Sequence, residues 1–518
     1  MYLTQGLHRA VQQFPERTAV IDDGLRRDYR TLADRCARLA GALAEAGLKP
    51  GDRVAILALN GATHWDYFAG LWWGGFVANP VNTRWSLKEM AYSLADSGAR
   101  VLLVDDEFLE RVPELRQRCP ALERIIHVGS EPTPPGLIPY EPWLAEAQAV
   151  SDRRADGEEL AVILYTGGTT GFPKGVMLSH SNLWSSAVGR LAETEVPSPF
   201  VTLMAVPLFH TAGLGKLVSQ LIVGGTSVVL PGFRVEKALA AIAREKVTDV
   251  ILVPSMIQMM VDDPGFAAHD LSALQTVTYG ASPMSLPLLE RAMAALPGAR
   301  FMQSYGMTEA APVITVNPWW NHQGEALRNG RVKSAGRAGW GLEVRIVDES
   351  GTELPRGEIG EVIARGDNIM LGYWNQPAQT AEVLRDGWLH TGDGGYMDEG
   401  GYIYIVDRLK DMIVSGGENV YCAEVENRLA RHPAVVSCAV IGVPHAQWGE
   451  SVHAVVVLRE GARASEAELC DFCRQELAGY KCPRSVEYRD QMPLSGAGKI
   501  LKNVLGEPYW RGRDRRVS

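Results

Sequence analysis

Apolar positions along the first 150 residues fall into two rhythms. In "YRTLADRCARLAGALAEAGL" (29–48) they recur at three- and four-residue spacing, which places them on one face of a helix. "DRVAILAL" (52–59), "ARVLLVD" (99–105) and "LERIIHVG" (122–129) are short continuous apolar runs, as buried strands are. From 161 the alternation repeats: "AVILYT", "FVTLMAVP", "TSVVLPG", "TDVILVP" and "LQTVTYG" are separated by helical or loop stretches. Apolar strands alternating with helices predict α/β layers around largely parallel sheets. "YFAGLWWGGFVANPV" (67–81) is apolar throughout, yet too short and too glycine-rich to span a bilayer. It predicts a buried helix leading into a turn.

The rhythm changes after about residue 325. "GLEVRIVDESGTELPRGEIGEVIARG" alternates apolar and polar residues around Gly and Pro turns, which predicts an antiparallel sheet or small β-barrel. Charged residues concentrate at 407–411, read as a linker between a large and a small domain. The small unit beyond has strands at "VVSCAVIGV", "VHAVVVLRE" and "SVEYRD" and a helix over 465–478.

Composition narrows the class. Of 518 residues, 46% are apolar and 22% charged, as in a globular protein with a large core. A net charge of −10 argues against general affinity for nucleic-acid phosphates. The seven cysteines have no framework spacing, which fits a reducing compartment. Cys470 and Cys473 form a CxxC with Cys482 nearby, but on a helical pattern with no second pair to complete a zinc site. The N-terminus shows no export pattern, so the expectation is a cytoplasmic protein without a transmembrane segment. Peripheral membrane contact and a homodimer remain open.

The chemistry enters at "ILYTGGTTGFPKGVMLSH" (163–180). Glycines allow backbone N–H groups to converge on phosphate oxygens, Thr166, Thr169 and Thr170 add hydroxyls, and Lys174 adds charge. The spacing is not that of the common phosphate loop, in which lysine directly follows glycine and precedes serine or threonine. Lys174 follows Pro173 and precedes Gly175. "VPLFHTAG" (206–213), "TYGAS" (278–282), "QSYGMTE" (303–309), "GWLHTGD" (387–393), "VDRLKDMIVSGGENVYCAEVE" (406–426) and "PLSGAGK" (493–499) follow in that order. Together they resemble the AMP-forming, adenylate-forming ligases, which include acyl-CoA synthetases, aryl-CoA ligases, luciferase and peptide-synthetase adenylation domains. The resemblance runs from about residue 15 to 505.

It implies an adenylation domain over 1–408, with layered α/β sheets and a small β-barrel. A small mobile α+β domain would follow over 409–518, with a hinge near Lys410. The substrates implied are a carboxylic acid, ATP and coenzyme A, with Mg2+ as the metal. Thr166, Gly168, Thr169, Thr170, Gly171 and Lys174 would hold the departing phosphates. Tyr305 would stack on adenine against Gly280, Ala281 and Ser282, with Gly306 and Met307 beside it. Asp393 and Arg408 match ribose contacts, Thr308 would touch the α-phosphate, and Thr170 and Glu309 would be the metal ligands. Lys499 resembles the lysine that bridges the reacting carboxylate and α-phosphate, where positive charge offsets the repulsion between two anions. His210 would border the acyl pocket and gate thiol entry, and Gly416 and Gly417 would let the pantetheine arm pass close to backbone. Plainer alternatives are a core histidine at 210, a core-filling tyrosine at 305 and a surface lysine at 499.

Three departures stand out. Gly167 replaces a usual serine or threonine, Cys422 replaces a usual proline, which predicts slight loosening there, and Gly506 replaces a frequent basic residue. Among CoA ligases the motifs look most like bacterial fatty-acyl-CoA synthetases, with cinnamate- or benzoate-type aryl ligases as the alternative. The small residues Thr211, Ala212 and Gly213 leave pocket room, which favours a medium or long acyl chain. A carrier-protein-loading enzyme is less well matched, because "FHTAGLGK" offers a lysine where an acidic partner for an ammonium is expected. A non-enzymatic relative should have lost Lys499, Glu309 or Asp393, and all three are present.

Overall fold

The computed structural model describes residues 1–167, 173–196, 199–282, 284–416, 418–495 and 499–511, with the backbone alone at Arg328 and Lys410. Four sheets organise the chain. A nine-stranded sheet has Arg337–Ala338 at one edge, followed by Val313–Asn317, Arg300–Gly306, Thr276–Gly280 and Asp249–Leu252. It continues through Val201–Met204, Thr226–Val229 and Thr18–Asp22 to Leu25–Asp28. Its six central strands are parallel, and antiparallel pairs close both edges. An eight-stranded sheet likewise has a parallel centre over Leu160–Thr166, Val77–Pro80, Arg53–Leu57, Val101–Val104 and Arg124–His127.

A shared layer of helices lies between these two sheets. One core cluster joins Val20, Met204 and Val229 of the first sheet to Val54, Ala78 and Leu164 of the second. The same cluster takes in Leu39 and Leu43, Phe68 and Trp72, and Leu217 and Leu221 from three helices. This position explains the Thr63–Gly74 helix, buried from His64 to Trp73. A helix covered on both faces has no use for a polar stripe. It ends at Gly75 with φ 75°, a left-handed cap, before the strand Val77–Pro80. Among the described residues no helix is long and apolar enough to cross a membrane.

The segment expected as a sheet or barrel is a five-stranded antiparallel sheet. Leu342–Val347 pairs with Gly360–Gly366, which pairs with the long strand Trp388–Met397, and this strand also takes Leu384–Arg385 and Ile403–Arg408. Strands from Ile413 onward form a separate sheet: Glu418–Val420, Ile413–Ser415, Gly449–Leu458 and Val435–His445, with Ser485–Tyr488 parallel to Gly449–Leu458. It carries its own core of Ile413, Val425, Leu429, Val440, Val456 and Leu469. The helix expected over 465–478 spans Glu466–Arg474, opened by a Ser465–Glu468 capping box. Cys470, Cys473 and Cys482 are buried free thiols, and no metal-holding group of His, Cys, Asp or Glu occurs among the described residues.

Candidate active site

The strands on either side of the glycine-rich loop pair with each other. Leu160–Thr166 and Lys174–Ser179 run antiparallel, with Thr166 opposite Lys174. Phosphate loops of the common kind open a helix, so the odd lysine spacing has a structural reason. Gly168, Thr169, Thr170 and Gly171 lie outside the described residues, as does Gly417. A Cβ at Gly167 would meet nothing within 4 Å, so packing does not require glycine there. The Lys174 ammonium lies 5.0 Å from the centre of the Tyr373 ring.

A second wall is built where Thr276–Gly280 and Arg300–Gly306 run side by side, Gly280 beside Ser304. A Cβ on Gly280 would sit 2.3 Å from Ser304 O, and one on Gly306 would sit 1.8 Å from Pro312 O. Both positions need glycine because backbones approach too closely for any side chain. Ala281 follows with φ 67°, an uncommon left-handed conformation, and then comes the half-buried Ser282. Met307 precedes a short turn, Thr308–Ala310, that leaves Thr308 and Glu309 each 8% exposed. Asn368 holds this turn by donating to Ala310 O and Val313 O, both at 2.7 Å.

Asp393 is the hub of the third wall. It is opposite Arg408 in the antiparallel pair of Trp388–Met397 with Ile403–Arg408. Arg408 Nε reaches its Oδ1 at 2.6 Å, and the Tyr305 hydroxyl donates to its Oδ2 at 2.6 Å. Burial and this carboxylate push the Tyr305 phenol well above its ordinary pKa. Tyr305 is therefore fixed by its hydroxyl as well as by packing. Glu309 is fixed in the same manner, its Oε1 accepting from the Tyr373 hydroxyl at 2.8 Å. A carboxylate oxygen is the donor a hard divalent cation prefers, and such cations need few protein ligands, so Glu309 fits Mg2+.

Lys499 and His210 complete the centre. Lys499 N–H donates to Ser495 Oγ at 3.1 Å and its carbonyl accepts from Ser495 N–H at 2.7 Å, closing the loop that presents the side chain. Burial and the Arg408 guanidinium pull the Lys499 ammonium below its ordinary pKa, and the Asp393 and Glu309 carboxylates oppose them. His210 caps the Thr211–Val223 helix, its Nδ1 accepting from Ala212 N–H at 3.4 Å. Burial and the nearby Lys499 lower the imidazole to about 4, so it is neutral at pH 7. Residues far apart in sequence (210, 305, 309, 393, 408 and 499) thus converge on one centre. Gly416, with φ 63°, lies on the turn between Ile413–Ser415 and Glu418–Val420 and donates to Trp448 O at 2.9 Å.

Several contributors were not singled out from the sequence. Tyr373 and Asn368 work through partners distant along the chain and stood in no quoted motif, whereas Asp407 and its partner Cys422 both stood inside one. Lys216 is 1% exposed and pairs with Asp249, also contacted by Thr202 Oγ1 at 2.8 Å. Its charge is spent on a buried carboxylate. Cys422 corrects an expectation: instead of loosening the chain, its N–H donates to Asp407 Oδ2 at 2.5 Å and its thiol to Asp411 O at 3.3 Å. Glycine at 506, inside the Lys502–Trp510 helix, is not explained by packing, since a Cβ would meet only Trp510 at 3.8 Å.

The AMP-binding enzyme family model matches residues 7–374, and the AMP-binding enzyme C-terminal domain model matches 424–499. A feruloyl-CoA synthase of Amycolatopsis is 42% identical over 502 residues, covering 96% of this chain and 97% of that protein. The medium/long-chain-fatty-acid–CoA ligase FadD8 of Mycobacterium tuberculosis is 35% identical, covering 94% and 86%. The structure of o-succinylbenzoate CoA synthetase from Bacillus subtilis, in complex with its acyl-adenylate intermediate, superposes with a TM-score of 0.84 at 32% identity, covering 96% and 97%. The chain belongs to the AMP-binding enzyme family and is a ligase of the adenylate-forming superfamily.

Proposed function

We propose that the protein activates an aromatic carboxylic acid with ATP and transfers the acyl group to coenzyme A. The observation that carries the reading is the convergence of Lys499 with Asp393, Glu309 and His210. Relatedness to a feruloyl-CoA synthase at 42% identity supports an aryl acid over the fatty acid favoured by the motifs alone.

In the first step a carboxylate oxygen of the acid attacks the α-phosphorus, a phosphorus–oxygen bond forms, and pyrophosphate leaves with the electrons of the broken bond. Lys499 stabilises the charge that develops between the two anions. Asp393 and Arg408 hold the ribose, and Tyr305 forms one face of the adenine site. Thr166, Lys174 and the glycine-rich segment between them receive the departing phosphates. Mg2+, held by Glu309 and Thr170, would neutralise phosphate charge. In the second step the sulfur of coenzyme A attacks the acyl carbon and AMP leaves. The small domain swings about Lys410 between the steps, replacing Lys499 with the Gly416–Gly417 face. A neutral His210 borders the path of the thiol and adds no charge beside Lys499.

A fatty acid is the second reading, favoured by the small residues Thr211, Ala212 and Gly213 and by the mycobacterial relative. The seven cysteines, all free thiols, support a cytoplasmic setting. The test is pyrophosphate release, with and without coenzyme A, over a panel of cinnamic, benzoic and C6 to C16 fatty acids. Coenzyme-dependent turnover with cinnamates leading is the expected result. Turnover confined to fatty acids overturns the aryl assignment, and pyrophosphate release indifferent to coenzyme A overturns the thioester step.

A further inference from the structure

Side-chain hydrogen bonds join the chain upstream of Lys410 to the chain downstream of it at Asp407 and at Arg84. The first lies beside the linker. Asp407, 9% exposed, is the next-to-last residue of the strand Ile403–Arg408, opposite Gly394 of the large domain's sheet. Its Oδ1 accepts from Arg408 N–H at 2.8 Å, which orients the carboxylate along its own strand. Its Oδ2 accepts at 2.5 Å from the N–H of Cys422, the first residue of the Cys422–Leu429 helix. That N–H is one of those a helix leaves unpaired at its start, so a carboxylate from another element caps it. The second contact lies far along the chain from the linker: Arg84 Nη1 donates to Ser495 O at 3.3 Å. Ser495 closes the loop that carries Lys499.

We infer that Asp407 and Arg84 are positioning residues for acyl-AMP formation: they clasp the small domain in the orientation that brings Lys499 to the reacting centre. This rests on the two-step reading above, in which the small domain turns about Lys410. A body on a pivot is held in angle by contacts that join it to the other side at more than one point, and these two do so through Cys422 and through Ser495. Both join the two sides of the pivot, so a turn of the small domain acts on both. Neither side chain needs to touch the acid, the nucleotide or the thiol. The clasp therefore biases a two-state equilibrium in favour of the first step alone.

The Cys422 position allows a clean test. Tyr421 has φ −86° and ψ 118°, the extended region that a residue before proline prefers, and Cys422 occupies the first helical position, where proline is tolerated. Cys422→Pro thus deletes the N–H with little strain, while Cys422→Ala keeps it and removes only the thiol. Acyl-AMP formation and thioester formation from supplied acyl-AMP are measured separately on the full chain. In Cys422→Pro the ratio of the first rate to the second should fall about tenfold or more, the factor a hydrogen bond to a charged acceptor carries. Cys422→Ala should keep the parent ratio. Arg84→Ala should lower the ratio in the same direction, and Arg84→Lys, which still offers a donor, should restore part of it. An unchanged ratio in both Cys422→Pro and Arg84→Ala overturns the inference, as does an equal loss in both half-reactions, which would mark a structural role. A parent protein that makes acyl-AMP but never a thioester defeats the two-step reading instead, a result visible before any variant is made.

Discussion

Lys499 and His210 sit in one electrostatic environment and respond to it oppositely in consequence. Burial and Arg408 make the ammonium easier to deprotonate, and burial with Lys499 makes the imidazole harder to protonate. Acyl-AMP formation needs the charged lysine, so it should be present below the lowered pKa of Lys499 and lost as pH rises through it. The kcat/KM profile of that half-reaction should therefore turn down below the ordinary lysine value near ~10.4. The downturn should move to higher pH in Lys499→Arg. Because His210 titrates near 4, it should add no inflection between pH 6 and 8. Lys499→Ala should slow acyl-AMP formation by roughly 10²–10³ and spare thioester formation from supplied acyl-AMP. Equal loss in both steps would remove Lys499 from its role. These residues were legible in the sequence because each stands in a short motif with its own local chemistry. Tyr373, Asn368 and Arg84 were not, since each acts on a backbone or carboxylate more than 50 positions away, and nothing local marks the partner.

At the scale of the element, the Thr211–Val223 helix is the part that should choose the acid. Its start is fixed by His210 as cap and by Gly213, where a Cβ would lie 2.3 Å from Pro207 O. Ala212 is half-buried next to that cap. If Ala212 lines the acid pocket, a tryptophan there should fill its depth, and each excluded methylene loses roughly 0.8 kcal/mol of transfer energy. Ala212→Trp should shift kcat/KM toward shorter acids and leave the ATP affinity unchanged. An unchanged ranking across the acid panel would take Ala212 out of the pocket. Strands and helices were readable here from period alone, as at Tyr29–Glu45 and Asp249–Leu252. The helix after Ser465 stops at Arg474, short of 478, with Gln475 as its C-cap. Lys216 was legible as a charge but not as a buried pair, since Asp249 reaches it only through the layering of helix on sheet.

For the whole molecule, the two-step reading makes the linker a mechanical part. Residues Leu409–Asp411 form a single short turn between the strand that ends at Arg408 and the strand that begins at Ile413. Lys410→Pro fixes φ and removes a donor there. It should block thioester formation and leave acyl-AMP formation largely intact, measured as the two separate rates. Normal overall turnover in this variant would place the pivot elsewhere. The layered fold has a second consequence, in how the protein should come apart on heating. The helices Tyr29–Glu45 and Thr63–Gly74 belong to one core with both large sheets, so neither sheet keeps its covering once the other is lost. Among the described residues, those from Ile413 onward have a separate core, and polar contacts at Asp407 and Arg84 join them to the rest. Calorimetry should then record two transitions rather than three or more: one for the small domain, and one cooperative melting of everything built around the shared helices.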